Sequence, residues 1–315
     1  MTRVFLAALA VLTSAAPRLA AQASDLRPAM VPGPLSTADD ELNTAFTPDG
    51  QTVYFSKNVG DRVGVILVSR LSGGKWGPPV VAPFSGQYSD YDPFVAPDGS
   101  RLFWISTRPV DGKEKEDYDI WLVEKKAQGW GPPVHLDAPI NTDAEEFYPT
   151  VAANGTLYFS STRPGGKGRG GDIYRARLEG GSYAAPENLG DSVNGATHDA
   201  DPYIAPDESF LVFASYGRPE SVGGGDLYVS HNRGGSWSAA RRLEHDVNSA
   251  AREYCPIVSP DGKWLYFTSF RGTIDAPRRR PITFAQLSAQ LRTPLNGYGN
   301  VYRIPVAVLA DSASP

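Results

Sequence analysis

Short apolar stretches, each followed by a turn sequence, recur along this chain about every 50 residues. Each copy begins with an acidic residue, continues through an apolar stretch to Pro-Asp-Gly or a close variant, and is followed by a second apolar and aromatic stretch. The five copies begin at Glu41, Asp90, Glu146, Asp199 and Glu253. A repeat of this length made of short strands is typical of a β-propeller, because one unit cannot bury its apolar faces alone.

Each copy predicts four strands, which we name a to d in chain order. Strand a follows the acidic residue, and a Pro-Asp-Gly turn leads to strand b, since Pro fixes φ and Gly accepts a positive φ. Strand b is rich in aromatic and β-branched residues, and strand c follows a loop. The predicted b strands contain residues 53–55, 102–105, 157–159, 211–213 and 265–267, and the c strands contain 65–68, 120–123, 173–176, 227–230 and 301–304.

The fourth strand determines the number of blades. Apolar residues lie six and ten positions before each acidic residue, and the first such pair, Leu35 and Val31, precedes every predicted strand c. The N-terminal segment is therefore predicted to be an orphan strand d that completes the last blade and removes the open edge of the ring. The prediction is an all-β fold, a five-bladed β-propeller of four-stranded antiparallel blades closed by an N-terminal strand.

A six-bladed propeller is the alternative, and it would need another repeat within residues 272–298. This segment lacks the repeated sequence, and Phe284, Leu287 and Leu291 have helical spacing instead. We therefore predict a helical insertion between strands b and c of the fifth blade.

The N-terminus predicts export. One positive charge, an apolar run too short to cross a bilayer and a small-x-small sequence at 21–23 are typical of a signal peptide over residues 1–23. A retained anchor is the alternative. We expect one propeller domain over residues 24–310, a tail at 311–315, no transmembrane segment after cleavage, and a periplasmic or secreted location.

Composition narrows the function classes. The net charge of −5 gives no general attraction to nucleic acid. Cys255 is the only cysteine, so the chain has no internal disulfide, and its four histidines lack the spacing of metal ligands. No cofactor and no metal ligands are predicted, although a structural Ca²⁺ in the channel would be revealed by melting that is sensitive to chelators.

Two segments carry a resemblance to a known family. DYDPFVAPDGSRLFWISTRP, at residues 90–109, and EEFYPTVAANGTLYFSSTRPGGKGRGGDIYRARLE, at residues 145–179, resemble the WD40-like repeats of TolB-type propellers. The resemblance covers residues 41–305 and implies an exported bacterial propeller that acts as an interaction scaffold at the cell envelope. TolB itself docks a peptidoglycan-associated lipoprotein. We expect this chain to differ from TolB in having five countable blades and no separate N-terminal domain.

Three columns of charged or polar residues recur at one end of the predicted blades. The first, which we call the acid column, consists of Glu41, Asp90, Glu146, Asp199 and Glu253. The second, the arginine column, follows strand b and consists of Arg108, Arg163, Arg218 and Arg271, with Val59 in the first blade and Arg62 nearby. The third begins strand c: Gly64, Asp119, Asp172, Asp226 and Asn300. We predict ion pairs within each blade, with each arginine held between two carboxylates. A ring of carboxylates that binds a cation or a sugar is the functional alternative.

Residues that break the repeat are better functional candidates, because a side chain needed for geometry should recur in every blade. The candidate binding residues on this face of the channel are Asp92, Tyr148, His198, Asp201 and Arg252. No catalytic residue is assigned.

The sequence thus favours a non-catalytic exported propeller that binds a protein or glycan of the cell envelope at the channel mouth. The alternative is a glycoside hydrolase or lyase, with its two carboxylates among Asp90, Asp92, Asp199 and Asp201. That alternative loses support where these carboxylates are bound to arginine side chains.

Overall fold

The computed structural model describes residues 26–60, 63–167, 170–195, 198–272 and 280–310. The predicted signal peptide, the C-terminal tail and Arg62 lie outside the described residues. No helix within the described part of the chain has both the length and the apolar character needed to cross a membrane.

The strands form one antiparallel sheet of four or five strands for each predicted blade, and two short strands of the third blade form a further two-stranded sheet. The N-terminal strand and the first two blades contain β1 (Ala29–Met30), β2 (Glu41–Phe46), β3 (Thr52–Val59), β4 (Val63–Ser72), β5 (Lys75–Trp76), β6 (Val80–Val81), β7 (Asp90–Val95), β8 (Arg101–Ser106), β9 (Asp119–Lys126), β10 (Gly129–Trp130) and β11 (Val134–His135). The third blade contains β12 (Glu146–Val151), β13 (Leu157–Ser161), β14 (Asp172–Ala176), β15 (Leu178–Glu179), β16 (Ser182–Tyr183) and β17 (Glu187–Asn188). The last two contain β18 (His198–Ile204), β19 (Phe210–Tyr216), β20 (Asp226–Arg233), β21 (Ser236–Trp237), β22 (Arg241–Arg242), β23 (Glu253–Val258), β24 (Trp264–Ser269) and β25 (Asn300–Pro305).

The N-terminal strand closes the ring, which confirms the prediction of five blades. Strand β1 pairs antiparallel with β25, strand c of the fifth blade, through Ala29 with Arg303 and Met30 with Tyr302. The backbone N–H of Val31 donates to the carbonyl of Val301 at 2.8 Å. Both predicted apolar positions of this strand, Val31 and Leu35, are buried in the core. Pairing between the first and last described segments therefore covers a sheet edge that would otherwise be open.

One short helix lies within the segment where an insertion was predicted. Helix α1 (Phe284–Leu291) begins at Thr283, whose side chain accepts from the backbone N–H of Gln286 while the Gln286 side chain accepts from the N–H of Thr283. This capping box satisfies backbone donors that the first turn leaves unpaired. None of its residues is buried, and Phe284 is 84 % exposed. The helix is therefore an addition to the propeller surface.

The core lies between the blades, where aromatic side chains of strand b pack against branched side chains of strands c and d. One strand b position holds a large aromatic residue in every blade, and each of these is essentially unexposed: Phe55, Trp104, Phe159, Phe213 and Phe267. Each of these aromatic residues lies two positions before the strand b residue that pairs with the acid of its blade. The core therefore reaches the level of the acid column.

Candidate functional site

The acid column is buried inside the blades. All five of its side chains are 0 % exposed. In the third blade the Glu146 carboxylate accepts from the Thr142 N–H and hydroxyl, from the Ser161 hydroxyl at 2.7 Å and from Arg163 at 3.1 Å. The same kind of arrangement holds Asp199 and Glu253. These carboxylates are therefore structural acceptors at the start of strand a rather than a ring of charges open to the channel.

Each arginine of the second column does two things at once. Its guanidinium is close to the acid of its own blade, and it donates to the carbonyl of the residue six positions before that acid, as Arg218 does to Asp199 at 2.8 Å and to Val193. It also lies over aromatic rings of strands b and c, with Arg218 4.8 Å from the ring centre of Tyr228. Because the carbonyl belongs to the connection from the preceding blade, each arginine ties neighbouring blades together.

The first blade uses a different cation. Lys57 pairs in register with Glu41 where the other blades have a serine, and its ammonium nitrogen lies 3.4 Å from the Glu41 carboxylate. The first blade, which the sequence shows to lack an arginine at the Val59 position, therefore has a basic group for its acid on strand b itself.

The third column differs from the prediction in two ways. Strand register places Val65 opposite Lys57, where Asp119 stands opposite Ser106, so Val65 and not Gly64 is the first-blade member. Among the described residues, each arginine of the arginine column forms an ion pair with one carboxylate, that of the acid column, and not with two. Asp226 instead accepts from the N–H of Val222, and thus fastens the loop before strand c.

A further column was missed by the sequence analysis. Five positions before each acid lies a serine or asparagine whose side chain bonds the backbone of strand c in the preceding blade. Asn194 accepts from the Ile173 N–H at 2.9 Å and donates to the Ile173 carbonyl at 3.0 Å, which imitates a strand pairing. The members are Ser36, Ser85, Asn141, Asn194 and Asn248. Asparagine at three of these five positions was the signal in the sequence from which this column could have been predicted.

A β-bulge in strand a turns a side chain out of the regular strand alternation in every blade. The register of strand a with strand b shifts two residues after each acid, and the residue there has a positive φ. A positive φ is rare for residues other than Gly, and bulges often redirect a side chain near a functional site. The five residues, which we call the bulge ring, are Asn43 (φ 44°), Asp92 (φ 54°), Tyr148 (φ 52°), Asp201 (φ 54°) and Cys255 (φ 53°).

Hydrogen bonds connect the bulge ring across blades. The Asn43 amide donates to Asp92 at 2.7 Å, and the Tyr148 N–H donates to the other Asp92 oxygen at 3.0 Å. The Cys255 N–H donates to Asp201 at 3.3 Å, and its thiol contacts the Asn43 amide oxygen at 3.2 Å. Three of the five predicted binding residues therefore belong to one connected layer across the channel.

The two carboxyl groups of this layer have unusual acidity. Burial, and then the charge of Asp201, raise the pKa of Asp92 to about 8. Burial raises the pKa of Asp201 to about 6, against a smaller lowering by the Cys255 N–H and Arg252. Neither carboxylate has a salt-bridge partner among the described residues. Groups with such shifts are concentrated at functional sites, although structural networks also produce them.

Around the end of the channel where strands a begin, the acid-side mouth, lie the other two predicted residues. The Arg252 side chain is exposed and lies 5.5 Å from the ring centre of Tyr254 and 5.2 Å from that of Phe270. The His198 ring lies 4.9 Å from Tyr216, and burial lowers its pKa. The acid-side mouth therefore presents a cation and several partly exposed aromatic side chains above the bulge ring.

Two tyrosines near this mouth have raised pKa values. Burial first, and then the charge of Asp201, raise the pKa of Tyr216 well above its ordinary value. Burial, then the neighbouring Tyr118 and Asp92, raise the pKa of Tyr91 to about 12. These phenols therefore stay protonated and can donate hydrogen bonds.

Comparison with known proteins finds similar solved structures and a partial relative. No family model matches the chain. Among solved structures it resembles TolB from Acinetobacter baumannii, with 16 % identity over 85 % of this chain and 54 % of that one and a TM-score of 0.47. A putative TolB from Agrobacterium tumefaciens has 17 % identity over 85 % of this chain and 90 % of that one, with a TM-score of 0.49. The chain is similar to TolB-type β-propellers. The five-bladed arrangement itself rests on the strand pairing described above.

The curated relative is named as a peptidase and not as a TolB. The uncharacterized peptidase YuxL of Bacillus subtilis (strain 168) is 28 % identical over 205 residues, which are 56 % of this chain and 29 % of YuxL. The chain thus spans less than a third of that relative. A puromycin-hydrolyzing peptidase of Mycobacterium tuberculosis is similar over 78 % of this chain and 37 % of its own, with 18 % identity and a TM-score of 0.40.

Proposed function

We propose that this chain is a non-catalytic, exported β-propeller that binds a protein of the cell envelope at its acid-side mouth. The observation that carries the proposal is the complete burial of the acid column. Carboxylates that are fully buried and bound to hydroxyl, amide and cationic groups cannot reach a substrate. The charged ring at this end of the blades thus serves the fold, and the surface above it is left for binding.

The groups on that surface suit recognition of a polypeptide. Arg252 is exposed and stacked on two rings, while Tyr216 and Tyr254 are partly exposed beside it. Arg and Tyr are enriched among the residues that dominate protein–protein binding, because they combine apolar contact area with hydrogen-bonding groups. An acidic or carboxylate-bearing segment of the partner would complement Arg252.

The similarity to part of YuxL supports a polypeptide over a glycan as ligand, because a peptidase acts on polypeptides. The predicted signal peptide and the resemblance to TolB-type repeats support an envelope location. Glycan binding by the aromatic side chains would change the proposed ligand from a polypeptide to a glycan.

Replacing Arg252 by alanine should weaken partner binding by about tenfold or more, with little change in the melting temperature, because the side chain is exposed. The mature chain is first used to capture and identify an envelope protein, and the dissociation constant is then measured with the purified partner.

A matched control is Arg303→Ala, since Arg303 also stacks on an aromatic ring, 4.4 Å from the centre of Trp264, but on strand c of the fifth blade. Equal weakening by both substitutions would argue against the acid-side mouth. Binding on a glycan array with no protein partner would refute the choice of a polypeptide.

The raised pKa values of Asp92 and Asp201 favour one second candidate, a glycosidase that uses these two carboxyl groups. Two contacts count against it. Both Asp92 oxygens already accept hydrogen bonds, from Asn43 and Tyr148, and Asp90 and Asp199 are buried beside Arg108 and Arg218. Turnover of aryl glycosides by the mature chain that disappears in Asp92→Asn would establish this candidate instead.

A further inference from the structure

The opposite end of the channel holds a cavity of about 730 Å³. It lies where strands a end in the Pro-Asp-Gly turns, and we call it the turn-side cavity. Its lining comes from four blades and includes Phe46, Phe94, Phe210 and Ile257. Pockets that bind small molecules have volumes of roughly 300–1,000 Å³ and mostly apolar walls with a few polar groups. The cavity has the size and lining of such a site.

One wall residue adds a polar group to this lining. Tyr203 is 6 % exposed and lines the cavity. Its hydroxyl makes no hydrogen bond with the described residues and is not among the fully enclosed polar atoms, so it remains accessible to solvent or to a ligand. Burial raises the pKa of the phenol, and the hydroxyl therefore remains a hydrogen-bond donor.

Tyr203 also breaks the repeat. The corresponding residues of the other blades are Ala45, Phe94, Thr150 and Ile257, none of which carries a phenol. The fold therefore does not need a hydroxyl at this position. The hydroxyl is thus free to donate to an acceptor of a ligand.

Among the described residues, the lining of the cavity contains one charged side chain, and its charge is negative. Asp207 is part of its lining, and hydrogen bonds from the Ser209 side chain and backbone lower the pKa of Asp207. Its carboxylate thus stays ionised at neutral pH. An anionic ligand would be repelled by this charge.

From this geometry we propose that the turn-side cavity binds a small, largely apolar molecule that is uncharged or cationic and presents a hydrogen-bond acceptor to the Tyr203 hydroxyl. The site lies at the other end of the channel from the acid-side mouth. Its occupation is independent of the partner proposed above, and the two can fail separately.

Binding of Nile red, an uncharged aromatic compound with a ring carbonyl, tests the proposal through its fluorescence in titrations of the mature chain. Saturable binding is expected. Val306→Trp should weaken it by about tenfold or more, because Val306 lines the cavity and the indole would fill part of it. The matched control is Val81→Trp in the groove between the first and second blades, which should leave the affinity unchanged.

Tyr203→Phe separates the hydrogen bond from the shape of the cavity. It should weaken Nile red binding about fivefold, the equivalent of ~1 kcal/mol for one hydrogen bond, and leave the binding of pyrene, which has no acceptor, unchanged. The proposal is overturned if Nile red does not bind saturably, if Val306→Trp has no more effect than Val81→Trp, or if Tyr203→Phe affects both probes equally. None of these readouts depends on Arg252 or on a protein partner.

Discussion

Replacing Arg218 by alanine is expected to lower the free energy of unfolding by about 3–5 kcal/mol, as found when one partner of a buried ion pair is removed. The Asp199 carboxylate is 0 % exposed and lies 2.8 Å from the guanidinium. Without Arg218 it would remain buried with, among the described residues, the Ser215 hydroxyl and the Gly195 N–H as donors. The carbonyl of Val193 would lose its donor as well. Urea denaturation of wild type and variant measures the difference.

Arg175→Ala is the matched control. Arg175 pairs with Glu187 at 3.0 Å, but the Glu187 side chain is 46 % exposed. Exposed pairs contribute about 0–1 kcal/mol, because water solvates both charges when they separate. Equal losses for the two arginines would contradict the role we assign to the arginine column.

Replacing Asp92 by asparagine is expected to stabilise the protein above pH 7. The pKa of Asp92 is raised from 3.8 to about 8 in the folded chain, so the folded state binds this proton more tightly than the unfolded state does. Stability from this group is therefore fully present below about pH 4 and is lost as the pH rises through 8. Each pKa unit corresponds to about 1.4 kcal/mol, so the total is of the order of several kcal/mol. Asparagine removes this loss while its amide oxygen can still accept a hydrogen bond.

Thermal melting between pH 5 and pH 9 tests this prediction, with melting temperatures that converge at low pH and diverge at high pH. Asp98→Asn is a control of opposite sign, because hydrogen bonds from Ser100 lower the pKa of Asp98. Its carboxylate stabilises the fold above pH 3.8, and that contribution is lost only below this value, so the difference in melting temperature for Asp98→Asn should stay constant between pH 5 and pH 9.

A variant Asp92→Asn that is less stable than wild type at every pH would show that the ionised carboxylate is favourable, as a bound cation would make it. The expectation of a structural Ca²⁺ stays a prediction. Within the described residues, no group of three or more His, Cys, Asp or Glu side chains is placed to hold a metal ion. Melting with added Ca²⁺ and with a chelator measures this directly.

The sequence alone was sufficient to predict the fold because the same sequence pattern recurs in every blade of a propeller. The acid, the turn and the aromatic strand recur in five copies, and each copy predicts the same local structure. The position of Leu35 and Val31 before any strand c identified the closing strand, since an apolar pair with the spacing of strand d has no other partner in the ring.

The site was predicted less well, because the relevant contacts are between residues from different blades. Lys57 takes the place of an arginine through its register with Glu41, and this register depends on strand pairing. The asparagine and serine column bonds the preceding blade, as Asn194 does to Ile173, and no local pattern reveals such a partner. The bulge that brings Asp92 and Asp201 into one layer is also a property of the paired strands.

The sequence by itself determined the number of blades, the place of closure and the residues that break the repeat, because these follow from periodicity and from local turn chemistry. Only the tertiary structure decided which charges are buried and which are exposed. Burial depends on what the neighbouring blade places over each side chain, and it separates the buried acid column, which holds the ring together, from the exposed Arg252. It also revealed the cavity around Tyr203, since a cavity exists only where four blades leave space between them.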